Sequence, residues 1–157
     1  MMMQHQPSTT ESMDGPRVKQ FSVFLENKVG ALLDVVRLLN ENTAEVLALT
    51  VQDSADSSIV RIIVNDPDLV EQLFEDHGIA YAIIDVLVVE LTESAEELGR
   101  LLAMLLQAEV NIHFSYPLLT RPHGKAALAV HVDDDDCACS VLCSVGFQLL
   151  GQHDISR

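Results

Sequence analysis

The sequence predicts an α+β protein made of two βαββαβ units packed side by side. Three observations carry that prediction. Strand-type and helix-type apolar patterns follow one another as strand, helix, strand, strand, helix, strand, and the order then repeats. The helical stripe Leu32, Val35, Val36 and Leu39 recurs as Leu98, Leu101, Leu102 and Leu105 at one displacement along the chain. The turn signals recur too: Asp66 maps to Asp133 and Gly78 to Gly146, with the small length difference falling in the hairpin loops.

Each element has a local reason. Val18–Glu26 (VKQFSVFLE) is rich in β-branched and aromatic residues and reads as a strand. Asn27-Lys28-Val29-Gly30 turns the chain into the first helix, whose apolar stripe has the i, i+3, i+4, i+7 spacing of one buried face. Glu45–Val51 is the second strand, DSADSS a turn, and Ile59–Val64 the third strand. Asn65-Asp66-Pro67 starts a helix, with Asp66 as cap and Pro67 at the first helical position. Leu69, Val70, Leu73 and Phe74 form its apolar face, Gly78 ends it, and Ile79–Ile84 is the fourth strand.

The second unit runs through Val86–Leu91, a helix, Val110–Leu118 and Ala126–Val132. Asp133–Asp136 then caps a helix through Val145, Gly146 ends it, and Phe147–Leu150 closes the unit. A repeat of about 70 residues is too long for a solenoid unit. The order is instead that of a ferredoxin-like domain, a four-stranded antiparallel sheet with two helices on one face. One such unit is marginal by surface-to-volume scaling, and Asp85 is the only polar residue between Ile84 and Val86. The two units are therefore expected to pack together. The expected division is a disordered lead-in over residues 1–16, a first domain over 17–84 and a second over 85–157.

Composition narrows the function. The chain has 157 residues, of which 48% are hydrophobic, and a net charge of −15 from 9 Lys+Arg against 24 Asp+Glu. That balance leaves no basic face for nucleic acid and repels an anionic membrane. No run approaches the ~18 apolar residues of a membrane span. The opening MMMQHQPSTTESMDG has neither the basic nor the apolar region of a signal peptide. Three neighbouring cysteines give no sign of an oxidising compartment. The expectation is a cytoplasmic protein.

Residues 22–32, SVFLENKVGAL, followed by LTVQD at 49–53, resemble an ACT domain, a small-molecule-sensing βαββαβ module. Within that family the first unit is particularly similar to the regulatory (small) subunit of acetolactate synthase. The resemblance covers roughly residues 17–84; the second half shares only element order and apolar pattern. It implies that Asn27 and Gly30 hold an amino acid, with Lys28, Val29, Ala31 and Leu32 around them.

The physics of the loop agrees. A strand-to-helix turn offers backbone N–H groups and the positive end of a helix dipole to a carboxylate. Gly30, without a Cβ, lets a ligand approach the backbone, and Asn27 offers both a donor and an acceptor. A plain turn with a glycine for geometry and an asparagine cap accounts for the same residues.

The second unit departs from the pattern. Glu96 stands where the first has Gly30, in the loop Thr92–Glu97, and its charge opposes a docking carboxylate. ACT domains often carry a polar residue at the start of strand two; the first unit has Glu45 there, and the second has Asn111 followed by Ile112. This points to a composite site built from the first unit's loop and the second unit's Asn111-Ile112 strand. Asn111 as a simple strand-starting residue is the alternative.

Other candidates carry less. Cys139 and Cys143 share a helix face while Cys137 points elsewhere, short of the four ligands of a zinc site, so small buried helix residues are expected. Asp133–Asp136 lacks the spacing of a calcium loop and reads as a helix cap. His113 and His131 fall in strands, where packed or solvated histidines are commoner than metal ligands. No nucleophile–base pair or phosphate loop stands out, so no catalysis, cofactor or metal is expected.

The reading is a tandem ACT-like regulatory protein that senses a small amino acid and forms a homodimer. Two alternatives stand beside it: a regulatory subunit of an acetolactate synthase-like biosynthetic enzyme, and an interaction module that has lost its ligand.

Overall fold

In the computed structural model, which describes residues 16–26, 28–92 and 94–156, every strand joins a single sheet. The first unit comprises β1 (Val18–Glu26), α1 (Ala31–Glu41), β2 (Val46–Asp53), β3 (Ser57–Val64), α2 (Pro67–Asp76) and the first half of β4 (Tyr81–Leu91). The second comprises the rest of β4, α3 (Ser94–Gln107), β5 (Ile112–Pro117), β6 (Ala126–Val132), α4 (Asp135–Ser144) and β7 (Leu149–Leu150). A short α5 (Gln152–Ile155) follows. Each unit has the expected ferredoxin-like βαββαβ order. The expected lead-in falls almost entirely on residues 1–15, outside the described residues.

The two expected strands Ile79–Ile84 and Val86–Leu91 are one. Asp85 sits inside β4 with its exposed side chain opposite Lys19, so it interrupts neither the pleat nor the pairing. β1 pairs with the Tyr81–Val86 half, and β6 with Leu87–Leu91. The antiparallel order is β2-β3-β1-β4-β6-β5, with β7 on β4. At the far edges Ala48 of β2 bridges Leu118, and the Leu119 N–H donates to the Leu47 carbonyl at 2.7 Å. The sheet curls until its two edges touch.

Curling gives the protein three apolar layers. Phe21, Val23, Ile62, Val35, Leu39 and Phe74 fill the space between the first half-sheet and α1 and α2. Leu87, Val89, Val130, Leu101, Leu105 and Leu142 do the same under α3 and α4. Between the half-sheets, Val18, Ala48, Ile63, Val86, Val88, Ala129 and Leu150 form an inner core shared by both units. Alternation along β4 sends Leu87 and Val89 outward and Val86 and Val88 inward, so both faces of its second half are dry.

The repeat extends to backbone signatures. Thr43 and Glu109 hold left-handed conformations (φ 62° and 57°) just beyond α1 and α3, and Gly78 and Gly146 (φ 64° and 90°) just beyond α2 and α4. The Asp66 side chain accepts from the Leu69 N–H at 3.2 Å, as expected of a cap. In the second unit the cap is Asp134, accepting from the Cys137 N–H at 3.0 Å, and not Asp133. Asp133 instead takes the residue that opens β5, as Asn65 takes the Glu45 N–H beside β2.

Three further details differ from expectation. α3 begins at Ser94, so Glu96 lies in its first turn and not in a loop; negative charge there suits the helix dipole. Of the expected α3 stripe only Leu101 and Leu105 are buried, while Leu98 and Leu102 are 38% and 44% exposed. α5 was not legible because its four residues carry no period; Ile155 docks it into the inner core.

Candidate functional site

The turn between β1 and α1 is built around Gly30. Its φ of 90° and ψ of −11° are left-handed, and a Cβ there would meet nothing within 4 Å. Backbone conformation, not crowding, is therefore what asks for glycine. Gly30 has no side chain to cap α1, whereas α2 and α4 start on aspartates that do.

Beside this helix end lies a cavity of about 180 Å³ lined by Leu25, Glu26, Lys28, Ala31, Leu32, Val51, Asp53, Ser58 and Val60. Pockets for drug-sized ligands measure roughly 300–1,000 Å³, so this one is smaller than those. Its walls are divided. Leu25, Leu32, Val51 and Val60 are apolar, while Glu26, Asp53 and Lys28 bring two carboxylates and an ammonium. Lys28 Nζ lies 3.3 Å from Glu26 Oε2, but both side chains are mostly exposed, so the pair contributes little to stability. The Ser58 hydroxyl donates to Asp53 Oδ1, fixing that carboxylate at the rim.

Of the loop residues read from the sequence, Lys28, Ala31 and Leu32 line this cavity and Gly30 caps the helix beside it. Val29 points into solvent, and Asn27 lies outside the described residues. Leu25, Glu26, Val51, Asp53, Ser58 and Val60 were missed. Their signal was the pleat: Val51 and Asp53, and Ser58 and Val60, are i, i+2 pairs at the loop end of adjacent strands, on the helix-covered face.

Asn111 and Ile112 lie at the start of β5. Ile112 pairs with Val132, level with the stretch where Lys19 faces Asp85, whereas the loop leaves β1 at its opposite end. Neither Asn111 nor Ile112 lines this cavity. Asn111 is also occupied: its N–H and Nδ2 donate to the two Asp133 oxygens at 3.0 and 2.9 Å, which holds the Asp133 carboxyl below its ordinary range. Ile112 packs against the second unit's outer core.

The remaining candidates resolve into structural roles. Arg17 ties the start of β1 to α4, donating to Cys139 Sγ at 2.8 Å and Asp136 Oδ1 at 3.1 Å. Cys139 is buried as expected, but Cys143 is exposed. Among the described residues no three His, Cys, Asp or Glu side chains are grouped to hold a metal, and no helix is long and apolar enough to cross a membrane.

His113 and His131 are neighbours, with ring centroids 5.2 Å apart. His131 also stacks on Phe114 at 4.9 Å, under the Arg61 guanidinium that lies over the same Phe114 ring. Burial, then His113, pushes the His131 pKa down; Asp135 opposes this and Arg61 adds to it. Since the folded value lies below the unfolded one, the His131 contribution is intact above about pH 6.5 and is lost as pH falls through that value toward the folded one. Thermal midpoints should therefore drop between about pH 7.5 and 5.5, and less so in His131→Phe. A slope unchanged by the substitution would assign the effect to other groups.

The profile of the ACT domain pair family matches residues 16–157. The chain belongs to that family. This ACT domain pair is similar to the crystal structure of protein BT0572 from Bacteroides thetaiotaomicron. The identity is 29%, covering 90% of this chain and 96% of that one, with a TM-score of 0.82. Its fold is also shared with the regulatory subunit of aspartate kinase from Thermus thermophilus, at 13% identity over 83% of this chain and 90% of that one, TM-score 0.55. The corresponding subunit from Thermus flavus gives 11% identity over 82% and 92%, also at 0.55. The finer likeness to an acetolactate synthase subunit is not confirmed by these structures. No curated protein matches the chain.

Proposed function

We infer that this ACT domain pair is a non-catalytic regulatory protein that binds a small amino acid beside α1. The observation that carries the reading is the cavity at the α1 N-terminus, whose lining brings together a helix end, one ammonium (Lys28) and two carboxylates (Glu26 and Asp53). An amino acid presents a carboxylate and an ammonium on one carbon. The first fits the helix end and Lys28, the second the two carboxylates. Leu25, Leu32, Val51 and Val60 favour a small aliphatic side chain. The Thermus structures of the same fold are regulatory subunits of aspartate kinase, which supports an enzyme as the downstream partner. Binding would act by favouring one of two arrangements with different affinities for the ligand.

The test is thermal denaturation against the twenty amino acids. A ligand at a hundred times its Kd should stabilise the fold by about 2.7 kcal/mol. Gly30→Glu is a poor control, since a left-handed φ strains any side chain there. Val51→Glu is better: Val51 is 42% exposed and lines the cavity, so the fold should tolerate the change while the ligand does not. Stabilisation by an aliphatic amino acid that disappears in Val51→Glu supports the reading. Silence across the panel would leave an interaction module without a ligand.

A further inference from the structure

β5 and β6 are joined by residues 118–125, whereas β2 and β3 are joined by 54–56 alone. A hairpin needs only about two to five residues to turn. The longer connection in the second unit therefore does more than reverse the chain. Its first residues close the sheet. Leu118 bridges Ala48, and Leu119, 71% exposed, donates its N–H to the Leu47 carbonyl. They land on a bulge: the β2–β3 register shifts between Val46 and Ala48, which turns both Leu47 and Ala48 into the inner core.

The last residues of the connection meet a buried carboxylate. Glu90, 8% exposed, is the only buried charged residue among the described ones. It lies on the same pleat face of β4 as Val86 and Val88, where an apolar side chain would need no partner. Glu90 Oε1 instead takes Lys125 Nζ at 3.1 Å, and Oε2 lies 3.5 Å from His123 Nδ1. His123 reaches it from a left-handed backbone (φ 56°), with Gly124 next in the chain. That conformation costs any side chain, so histidine stands there for its contact with Glu90 and not for the turn. A buried ion pair adds little net stability, but it fixes position.

We propose that residues 118–125 are a strap, pinned by Glu90, that holds the sheet closed between β2 and β5, and that a ligand in the α1 cavity tightens it. The strap stands on the contacts above; its response to a ligand rests on the amino-acid reading. β2 is the shared element. Leu47 and Ala48 take the strap, and Val51 and Asp53, further along the same strand, line the cavity. The cavity belongs to the closed arrangement, so a molecule fitted to it favours closure. Strap closed and strap released are the two arrangements that such coupling requires.

The test is amide hydrogen exchange on the full chain, comparing the Leu119 N–H with the amides of β1, a strand paired on both sides. Glu90→Leu should speed exchange at Leu119 by about tenfold or more and leave β1 unchanged, since leucine suits the apolar face it enters. Lys125→Met, which alters a half-exposed side chain, should act in the same direction. Leu119 exchange unchanged in both variants, or β1 accelerated equally, would overturn the strap. For the ligand, valine, leucine and isoleucine are each added until thermal denaturation shows no further shift. Whichever stabilises the fold protects β1 against global unfolding in any case. It should also slow Leu119, which exchanges by release of the strap alone. Protection confined to β1 overturns the coupling and leaves the amino-acid reading standing. No thermal shift from any of the three removes the aliphatic reading and the coupling with it, while the Glu90 variant still decides the strap.

Discussion

Phe74→Ala should lower the free energy of unfolding by about 3–5 kcal/mol, measured by urea titration. Phe74 is fully buried on α2 and meets Phe21 edge-on, with centroids 5.7 Å apart and rings at 88°. Tyr81 completes a triangle, 5.7 Å from each. Such edge contacts add roughly 0.5–1.5 kcal/mol to the burial itself. The vacated space cannot easily collapse. Phe21 lies on β1, which is hydrogen-bonded to β3 on one side and β4 on the other, so its backbone cannot follow the missing ring. Leu69→Ala on the same helix, where the side chain is only half-buried, should cost far less. Both variants should unfold in one transition, because β4 and the inner core belong to both units. A loss below about 1.5 kcal/mol for Phe74→Ala would mean that the site relaxes more than a doubly paired strand should allow.

What the sequence makes legible is whatever depends on local period and turn chemistry. Asp66-Pro67 announces α2, and Gly78 and Gly146 mark helix ends because the chain needs a left-handed residue there. Thr43 and Glu109 do the same work after α1 and α3, but nothing in their identity signals it. Period also misleads. Leu98 and Leu102 have the spacing of a core stripe, yet the burial that matters on α3 is centred on Leu101 and Leu105, and one sequence cannot tell a core-facing leucine from an exposed one. The same limit applies to the site. The α1 loop was legible because glycine and its neighbours are local, whereas Val51, Asp53, Ser58 and Val60 reach the cavity only through strand pairing. Asn111 shows the same limit from the other side: that Asp133 accepts from it follows from the β5–β6 pairing and not from its place in the sequence.

Tyr116→Ala should be at least as costly as Phe74→Ala, for a different reason. Tyr116 is 4% exposed, and its ring, between the half-sheets, contributes about 3–5 kcal/mol of burial. Its hydroxyl also donates to Gln20 Oε1 at 2.6 Å, and Gln20 is fully buried, its Nε2 donating to the Ser22 hydroxyl at 3.2 Å. Burial holds the phenol pKa well above its ordinary value, with Arg61 only partly opposing, so the donor keeps its proton throughout the working pH range. Removing it leaves the Gln20 carbonyl in an apolar layer with no donor, a further loss of about 1–3 kcal/mol. Tyr116→Phe isolates that second part and should cost about 1–3 kcal/mol by itself. The double variant Tyr116→Phe with Gln20→Leu removes donor and acceptor together. It should be more stable than the sum of the single changes predicts, because replacing both partners by apolar groups leaves nothing unsatisfied. Since Gln20 belongs to the first unit and Tyr116 to the second, that coupling energy measures how far the buried amide fixes one unit against the other. Strict additivity in the cycle would mean that apolar packing alone sets their registration.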